Sequence, residues 1–307
     1  MSQAKQMPAR KRIATTAGIF ALLFWGMTVA FSRSLTQQLG VLTAACYIYI
    51  GSGAIGLLYV LANPRERARL AQIPRRFWLA CGMFFVLNVL CFHMAVGLAA
   101  GGQKIVEIGL INYLWISFTL LLSVPILGKK ARLGLAPGIV IACVGICIAA
   151  LQREAFSWNL FAENMRTDRM PYVLAFCGAL SWAFYSNLTG KWGANIEGRP
   201  LPVFLLAAGV VFLAIRMTVT ESSVWSTRVF LELAATIAFP TILSYFFWDF
   251  AMRKGNAVLV VSTSYLTPLL STIISCLYLR IPPKPALLLA CVMVIGGAVL
   301  CRKSVVD

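Results

Sequence analysis

Charge is scarce in this sequence: 12% of its 307 residues are Asp, Glu, Lys or Arg, ten are acidic, and there is a single histidine. So few titratable groups exclude most catalytic constellations. No HExxH, GxSxG or paired catalytic aspartates occur, which leaves hydrolytic chemistry without its parts. No GxxxxGK[ST] loop is present, so the backbone cradle for nucleotide phosphates is missing. The nine cysteines form no CxxC pair. Cys143 and Cys147 stand one helical turn apart without a nearby His or carboxylate, and read as small packing residues. No enzyme, cofactor, metal centre or disulfide framework is expected.

What is abundant is apolar length. Apolar letters make up 60% of the chain and the mean hydropathy is +0.83, far above a soluble domain. About 20 apolar residues cross a ~30 Å hydrocarbon layer as helix. Ten such runs are read, at 13–32, 39–61, 77–100, 105–127, 133–151, 171–190, 200–219, 229–252, 257–279 and 284–301. Barrel strands would alternate apolar and polar, and LGLAPGIVIACVGICIAAL does not. The fold class predicted is an all-α polytopic membrane protein with ten transmembrane helices. The first run follows basic residues as a secretory signal does, but it is long and the first of many, so a retained helix is expected.

The +17 net charge is explained by position. With the N-terminus inside and the spans alternating, 18 of the 27 Lys and Arg fall in cytoplasmic segments, as the positive-inside bias requires. Both termini are therefore predicted cytoplasmic. The partner is the lipid bilayer, not nucleic acid.

The two halves match. At an offset of 152, NYLWISFTLLLSVPILGKK lies on SYLTPLLSTIISCLYLRIP, Tyr113 on Tyr265 and Gly145 on Gly297. Near the start of each half, LLFWGM lies on ALSWAF at 157, placing Trp25 on Trp182. Each half holds five spans, and an odd number forces the second into the membrane inverted. Two inverted five-helix repeats, 1–157 and 158–307, joined by a polar loop over 152–170, are expected. Such a pair sets a central site near the midplane and offers two mirror-related states, the geometry of alternating access.

These spans, the FWG and SWAF motifs that open the halves, and the YLW and SYLTP motifs of the fourth and ninth spans resemble the EamA-type drug/metabolite transporter superfamily over nearly the whole chain. Within it, GGQKIVEIGLINYLW and MRKGNAVLVVSTSYLTPLLS look like the YddG-like aromatic amino acid exporters of bacterial inner membranes. The resemblance implies a multi-pass inner-membrane secondary transporter exporting Phe, Tyr, Trp or similar small amphipathic solutes. A broad multidrug or organic-cation exporter is the alternative on the same fold. A channel finds no ring of charge or carbonyl-rich filter.

Polar groups at bilayer depth face cavities or partner helices. In the fourth span Asn112, Trp115, Thr119 and Ser123 share an arc of about 80°. Ser181, Trp182, Tyr185 and Thr189 share about 100° in the sixth, and Trp25, Thr28 and Ser32 about 60° in the first. In the ninth, Ser264, Tyr265, Pro268, Ser271, Thr272 and Ser275 share about 120°. These faces are expected to line one aqueous cavity, with Trp115, Trp182, Asn112, His93, Tyr185, Tyr265 and Trp25 as substrate candidates. An indole can stack on a ring and donate one hydrogen bond. Hydroxyls alone read more simply as helix-packing groups.

Glu107, His93 and Asp249 are the candidate coupling groups. His93 is the natural pH-sensitive side chain, although a lone imidazole between helices is more often structural. Glu107 is expected to pair with Lys104 and Asp249 with Arg253, each across one turn. Pro268 removes a backbone donor and is the candidate hinge. The Gly-rich fifth and tenth spans are expected at the periphery, against lipid or a second protomer.

Overall fold

The computed structural model describes residues 8–99, 102–151, 157–193, 196, 199–269 and 285–306. The helices among them are α1 Ala9–Leu39, α2 Val41–Ala62, α3 Pro64–Ala71, α4 Arg75–Leu98, α5 Gly102–Asn112, α6 Leu114–Leu127, α7 Leu135–Leu151, α8 Trp158–Thr167, α9 Met170–Trp192, α10 Leu201–Arg216, α11 Thr227–Thr236, α12 Ser244–Lys254, α13 Ala257–Ser264 and α14 Pro285–Ser304, and residues 266–269 beyond Tyr265 are helical too. A π-helical stretch, Ile237–Leu243, joins α11 to α12 without a break. Strands β1 Lys130–Ala131 and β2 Val305–Val306 form a short antiparallel ladder, Lys130 opposite Val306, which ties the chain's end to the α6–α7 turn.

Helix lies in every predicted span. Among the described residues four continuous stretches, Val41–Ala62, Arg75–Leu98, Gln103–Leu127 and Thr227–Lys254, are long and apolar enough to cross a membrane, and Leu135–Ile148, Leu201–Arg216 and Ala257–Leu269 are shorter apolar helices. The protein is an all-α membrane protein, and among the described residues the two-residue ladder is its only β structure. Two polar helices fall outside the predicted spans. Asn63 caps α3 through Arg65 N–H and Ser157 caps α8 through Leu160 N–H, and neither helix buries a side chain. Both are too short to cross a membrane, and α8 leaves Trp158, Leu160 and Met165 exposed while Phe161 meets Tyr172 edge to face at 6.1 Å.

Hydrogen bonds sort the helix ends into two groups. At one end Asn256 N–H donates to Thr15 Oγ1, Arg132 N–H to Ser304 O, and Arg199 pairs with Glu66. At the other Val224 N–H donates to Gln38 O, Gln103 Nε2 to Ser157 O, and Lys104 pairs with Asp168 at 2.8 Å. The first end carries the basic segments around Arg10, Arg65, Arg75, Lys129, Lys191, Arg253 and Arg302.

The principal packed pairs are α2 with α10, α7 with α14, α4 with α9, α1 with α12 and α6 with α9. Close approach in the first two depends on missing side chains. A Cβ on Gly53 would lie 2.4 Å from Leu206 N, and one on Gly209 2.5 Å from Ile50 N. Helix backbones reach van der Waals contact this way, which drives association where lipid offers no hydrophobic gain. The α7–α14 pair repeats it: a Cβ on Gly145 would meet Val294 at 2.8 Å, and one on Gly297 would meet Ala142 N at 2.6 Å. The outer faces of α7 and α14 expose Val140, Val144, Val292 and Ile295, as a peripheral pair would.

Candidate functional site

Seven aromatic side chains from five helices meet in the interior. Trp25 of α1 touches Trp182, Tyr245 and Trp248, with centroids 5.5, 5.7 and 5.3 Å away. Trp115 of α6 approaches Trp248 at 5.4 Å and 82°, and Trp182 at 6.4 Å and 86°. Phe85 of α4 closes the group against Tyr245 at 5.1 Å and Tyr185 at 5.2 Å. Edge-to-face contacts dominate, as the ring quadrupole favours. The expected faces therefore converge, but on one another: their rings pack as core. Trp248 is fully buried, while Trp25 and Trp115 stay half-buried.

The π-helical stretch orients this group. Pro240 has no N–H, so the carbonyl of Thr236 loses its helical donor; Thr241 Oγ1 supplies one at 2.9 Å and Ser244 Oγ donates to Phe239 O at 3.0 Å. The widened turn leaves Pro240 O to accept the Trp25 indole N–H at 3.1 Å. Trp248 Nε1 donates to Ser186 Oγ at 3.1 Å. π-turns concentrate at functional positions.

Other candidates lie at varying distances from the cluster. Tyr185 O–H reaches Asp249 Oδ1 at 3.5 Å, and Asp249 pairs with Arg253 one turn on, both side chains 2% exposed. His93 is one ring removed: it meets Tyr49 edge to face at 5.4 Å, and Tyr49 O–H lies 3.4 Å from Tyr245 O–H. Its Nδ1 is 2.9 Å from Val89 O, which requires the proton on Nδ1. Asn88 Nδ2 donates to Gly178 O at 2.9 Å. Tyr265 is fully buried and shares a 2.9 Å hydrogen bond with Ser117, away from the cluster. Asn112 ends α5, half-buried, one turn before Trp115. Pro268 is buried in Ala257–Leu269; Ser271, Thr272 and Ser275 lie outside the described residues, as do the Thr28 and Ser32 side chains. Thr119 Oγ1 donates to Trp115 O and Ser123 Oγ to Leu120 O, so these hydroxyls serve their own helix.

Glu107 corrects an expectation. It does not pair with Lys104, which reaches Asp168 instead. Glu107, 1% exposed, accepts from Gln103 Nε2 at 2.7 Å, Asn164 Nδ2 at 3.4 Å and the Tyr172 hydroxyl. Spacing on one helix shows only local partners, whereas α8 and α9 bring donors from 57 and 65 residues away.

Comparison with known proteins places this arrangement. The EamA-like transporter family pattern matches residues 169–302. The "Aromatic amino acid exporter YddG" of Escherichia coli strain K12 is 31% identical over 289 residues, covering 94% of this chain and 96% of that protein. The chain belongs to the EamA-like transporter family. A Salmonella typhimurium protein of the same name is 30% identical over 94% of this chain and 96% of its own. A solved structure described only as a crystal structure of a protein superposes with a TM-score of 0.78 at 24% identity, covering 95% of this chain and 97% of that one. It establishes the fold.

In this EamA-family chain the sequence reading missed Trp248, Tyr245, Phe85 and Tyr49. A signal existed for two of them. Tyr245, Trp248 and Asp249 stand at i, i+3 and i+4, one face of α12.

Proposed function

We propose that the protein exports aromatic amino acids across the bacterial inner membrane as a secondary transporter working by alternating access. The observation that carries this reading is the cluster of Trp25, Trp115, Trp182 and Trp248, four indoles gathered from four helices in the interior of an EamA-family chain. Relatives that match nearly its whole length are named aromatic amino acid exporters. Rings that pack edge to face in the closed cluster can part to take a substrate ring in the same geometry.

The reading includes ten membrane-spanning helices in two inverted five-helix repeats, 1–157 and 158–307, with both termini cytoplasmic. Reciprocal contacts support it. Gly53 meets Leu206 as Gly209 meets Ile50, and Gly145 meets Val294 as Gly297 meets Ala142. Tyr113 and Tyr265, matched in sequence, each interrupt a helix by one residue, at ψ −13° and −23°. Gathering of the basic segments at one end supports cytoplasmic termini. In this scheme Pro268 and Pro240 are hinges, and Glu107, His93 and Asp249 are the groups through which a proton gradient would act.

Counterflow of labelled phenylalanine and tryptophan in proteoliposomes, with and without an imposed pH gradient, tests substrate and coupling together. Saturable counterflow is expected. Movement of planar organic cations without either amino acid would replace this reading with the multidrug one.

A further inference from the structure

The π-helical stretch that orients the aromatic cluster also sets the course of α12 beside α2. At Gly51 a Cβ would lie 2.8 Å from Ile237 Cδ1, so α2 packs closely on Ile237–Leu243. Beyond that contact, toward the basic end, the two helices border a groove of about 500 Å³ that Leu201, Pro202 and Leu205 of α10 also line. The volume is within the ~300–1,000 Å³ of small-molecule sites. Its walls leave it open: Tyr59 is 68% exposed and Phe246 46%. Ile55 and Leu58 of the membrane-crossing α2 are exposed beside Tyr59, so the groove opens sideways to the bilayer.

The lining is graded along α12. Ile242, Phe246, Phe250 and Lys254 follow one another every four residues, a stripe that is apolar for three positions and cationic at the last. At 1.5 Å per residue, Lys254 stands about 12 Å from Phe246 along the axis. Arg10, at the start of α1, lines the same groove. Among the described residues the wall holds four basic side chains, Arg10, Arg199, Arg253 and Lys254, against two acidic ones, Glu66 and Asp249. Both carboxylates are engaged, Glu66 by Arg199 and Asp249 by Arg253. The Asp249–Arg253 pair, with side chains 2% exposed, lies behind the surface and adds no net charge to it. Lys254 forms no ion pair among the described residues.

We propose that this groove binds one anionic phospholipid, its phosphate at Lys254 and Arg10 and an acyl chain along Phe250, Phe246 and Tyr59. Basic pockets between membrane helices take such head groups. Charge and depth choose the lipid together. An amine-bearing head group finds no acceptor, because both carboxylates in the wall are taken, and a bare phosphate would leave the apolar stripe uncovered. The site is separate from the aromatic cluster and does not depend on which solute is exported.

Native mass spectrometry of the purified full chain tests this, with phosphatidylglycerol and phosphatidylcholine of the same acyl chains added in neutral detergent. The expected result is one phosphatidylglycerol held several-fold more tightly than phosphatidylcholine. Lys254→Gln weakens it about fivefold, the worth of one cation near an anionic head group, and Phe246→Ala weakens both lipids without changing their ratio. Neither side chain is buried, so both variants elute as wild type. Lys191→Gln removes a cation of the same end outside the groove and leaves the affinity unchanged. Equal weakening by Lys254→Gln and Lys191→Gln overturns the site in favour of diffuse surface charge. Equal affinity for the two lipids, or no retained lipid, overturns it as well. Displacement of phosphatidylglycerol by glycerol 3-phosphate overturns it in favour of a soluble phosphate ester.

Discussion

Trp25 and Trp182 meet edge to face, 5.5 Å between centroids and 77° between planes, although 157 residues of chain separate them. They occupy matching positions in the FWG and SWAF motifs. Residues related by a two-fold axis touch only where they lie close to it, so this contact puts the axis of the proposed repeat through the aromatic cluster. That is where an inverted pair would hold its substrate.

Trp115 borders this contact without being deeply buried, which leaves it available to a substrate ring. Trp115→Ala is expected to lower phenylalanine counterflow about tenfold, one aromatic pair's worth of ~0.5–1.5 kcal/mol. Monodisperse elution from size exclusion would show that insertion and folding survive. Unchanged counterflow would return Trp115 to ordinary packing.

Pro240 widens its turn and frees the carbonyl that holds the Trp25 indole. Pro240→Ala restores an N–H and permits regular α-helix, so the helix is expected to become more stable to heat while transport falls several-fold. Pro268→Ala should likewise reduce transport more than expression. Equal losses of transport and expression in either variant would mark that proline as structural only.

Tyr172 donates to a carboxylate that is 1% exposed. Tyr172→Phe should cost about 1–3 kcal/mol of stability by removing a buried donor to a charged group, read as a fall in thermal midpoint in detergent. Lys104→Met should cost less, because although Lys104 is 10% exposed its partner Asp168 is 42% exposed and solvent at that end screens the pair toward the ~0–1 kcal/mol of exposed ones. A larger loss from Lys104→Met would show that the Lys104–Asp168 pair is shielded from solvent.

Gly53 and Gly209 touch the partner backbone in the same way. Gly53→Leu and Gly209→Leu should each destabilise the α2–α10 pair by about 1–3 kcal/mol or more, the cost of overpacking, and by similar amounts. Thermal unfolding of the two variants, differing widely, would argue against equivalence of the halves at this contact.

Glu221 fastens α10 to α2. Burial raises its carboxyl pKa, but the N–H groups of Leu42 and Thr43, the Thr43 hydroxyl and Arg216 lower it further, so the net lies below the ordinary carboxylate value. A carboxyl depressed on folding stabilises fully above its unfolded pKa, about 4.3, and that stabilisation is lost as pH falls through the folded value. Thermal midpoints between pH 6 and 3 should therefore fall more steeply in wild type than in Glu221→Gln. Parallel slopes would refute the contribution. The same carboxylate explains Gly40 between α1 and α2, whose φ of +86° suits glycine and whose Cβ would sit 2.5 Å from Glu221.

The membrane class was legible because crossing lipid requires long runs with few charges, and composition states that directly. The helical ranges followed from the same constraint, and the proposed repeat rests on residue identities spaced 152 to 157 apart. Trp25, Trp115 and Trp182 could be picked out because an indole at mid-span has no interfacial reason to be there. The Asp249–Arg253 pair was readable since both ends lie on one helix.

Tertiary structure alone decided which groups meet. Helical spacing ranks partners within a turn, so Glu107 pointed to Lys104 until α8 and α9 supplied Asn164 and Tyr172. It assigns a proline to a helix but not the shape the helix takes, so Pro240 gave no hint of the turn that anchors Trp25. Trp248 joins three other indoles because α12 packs against α1 and α9, a choice made by interlocking surfaces and not by any local pattern. The groove beside α12 is of this kind too: spacing puts Ile242, Phe246, Phe250 and Lys254 on one stripe, but a gap between helices exists only in the folded chain.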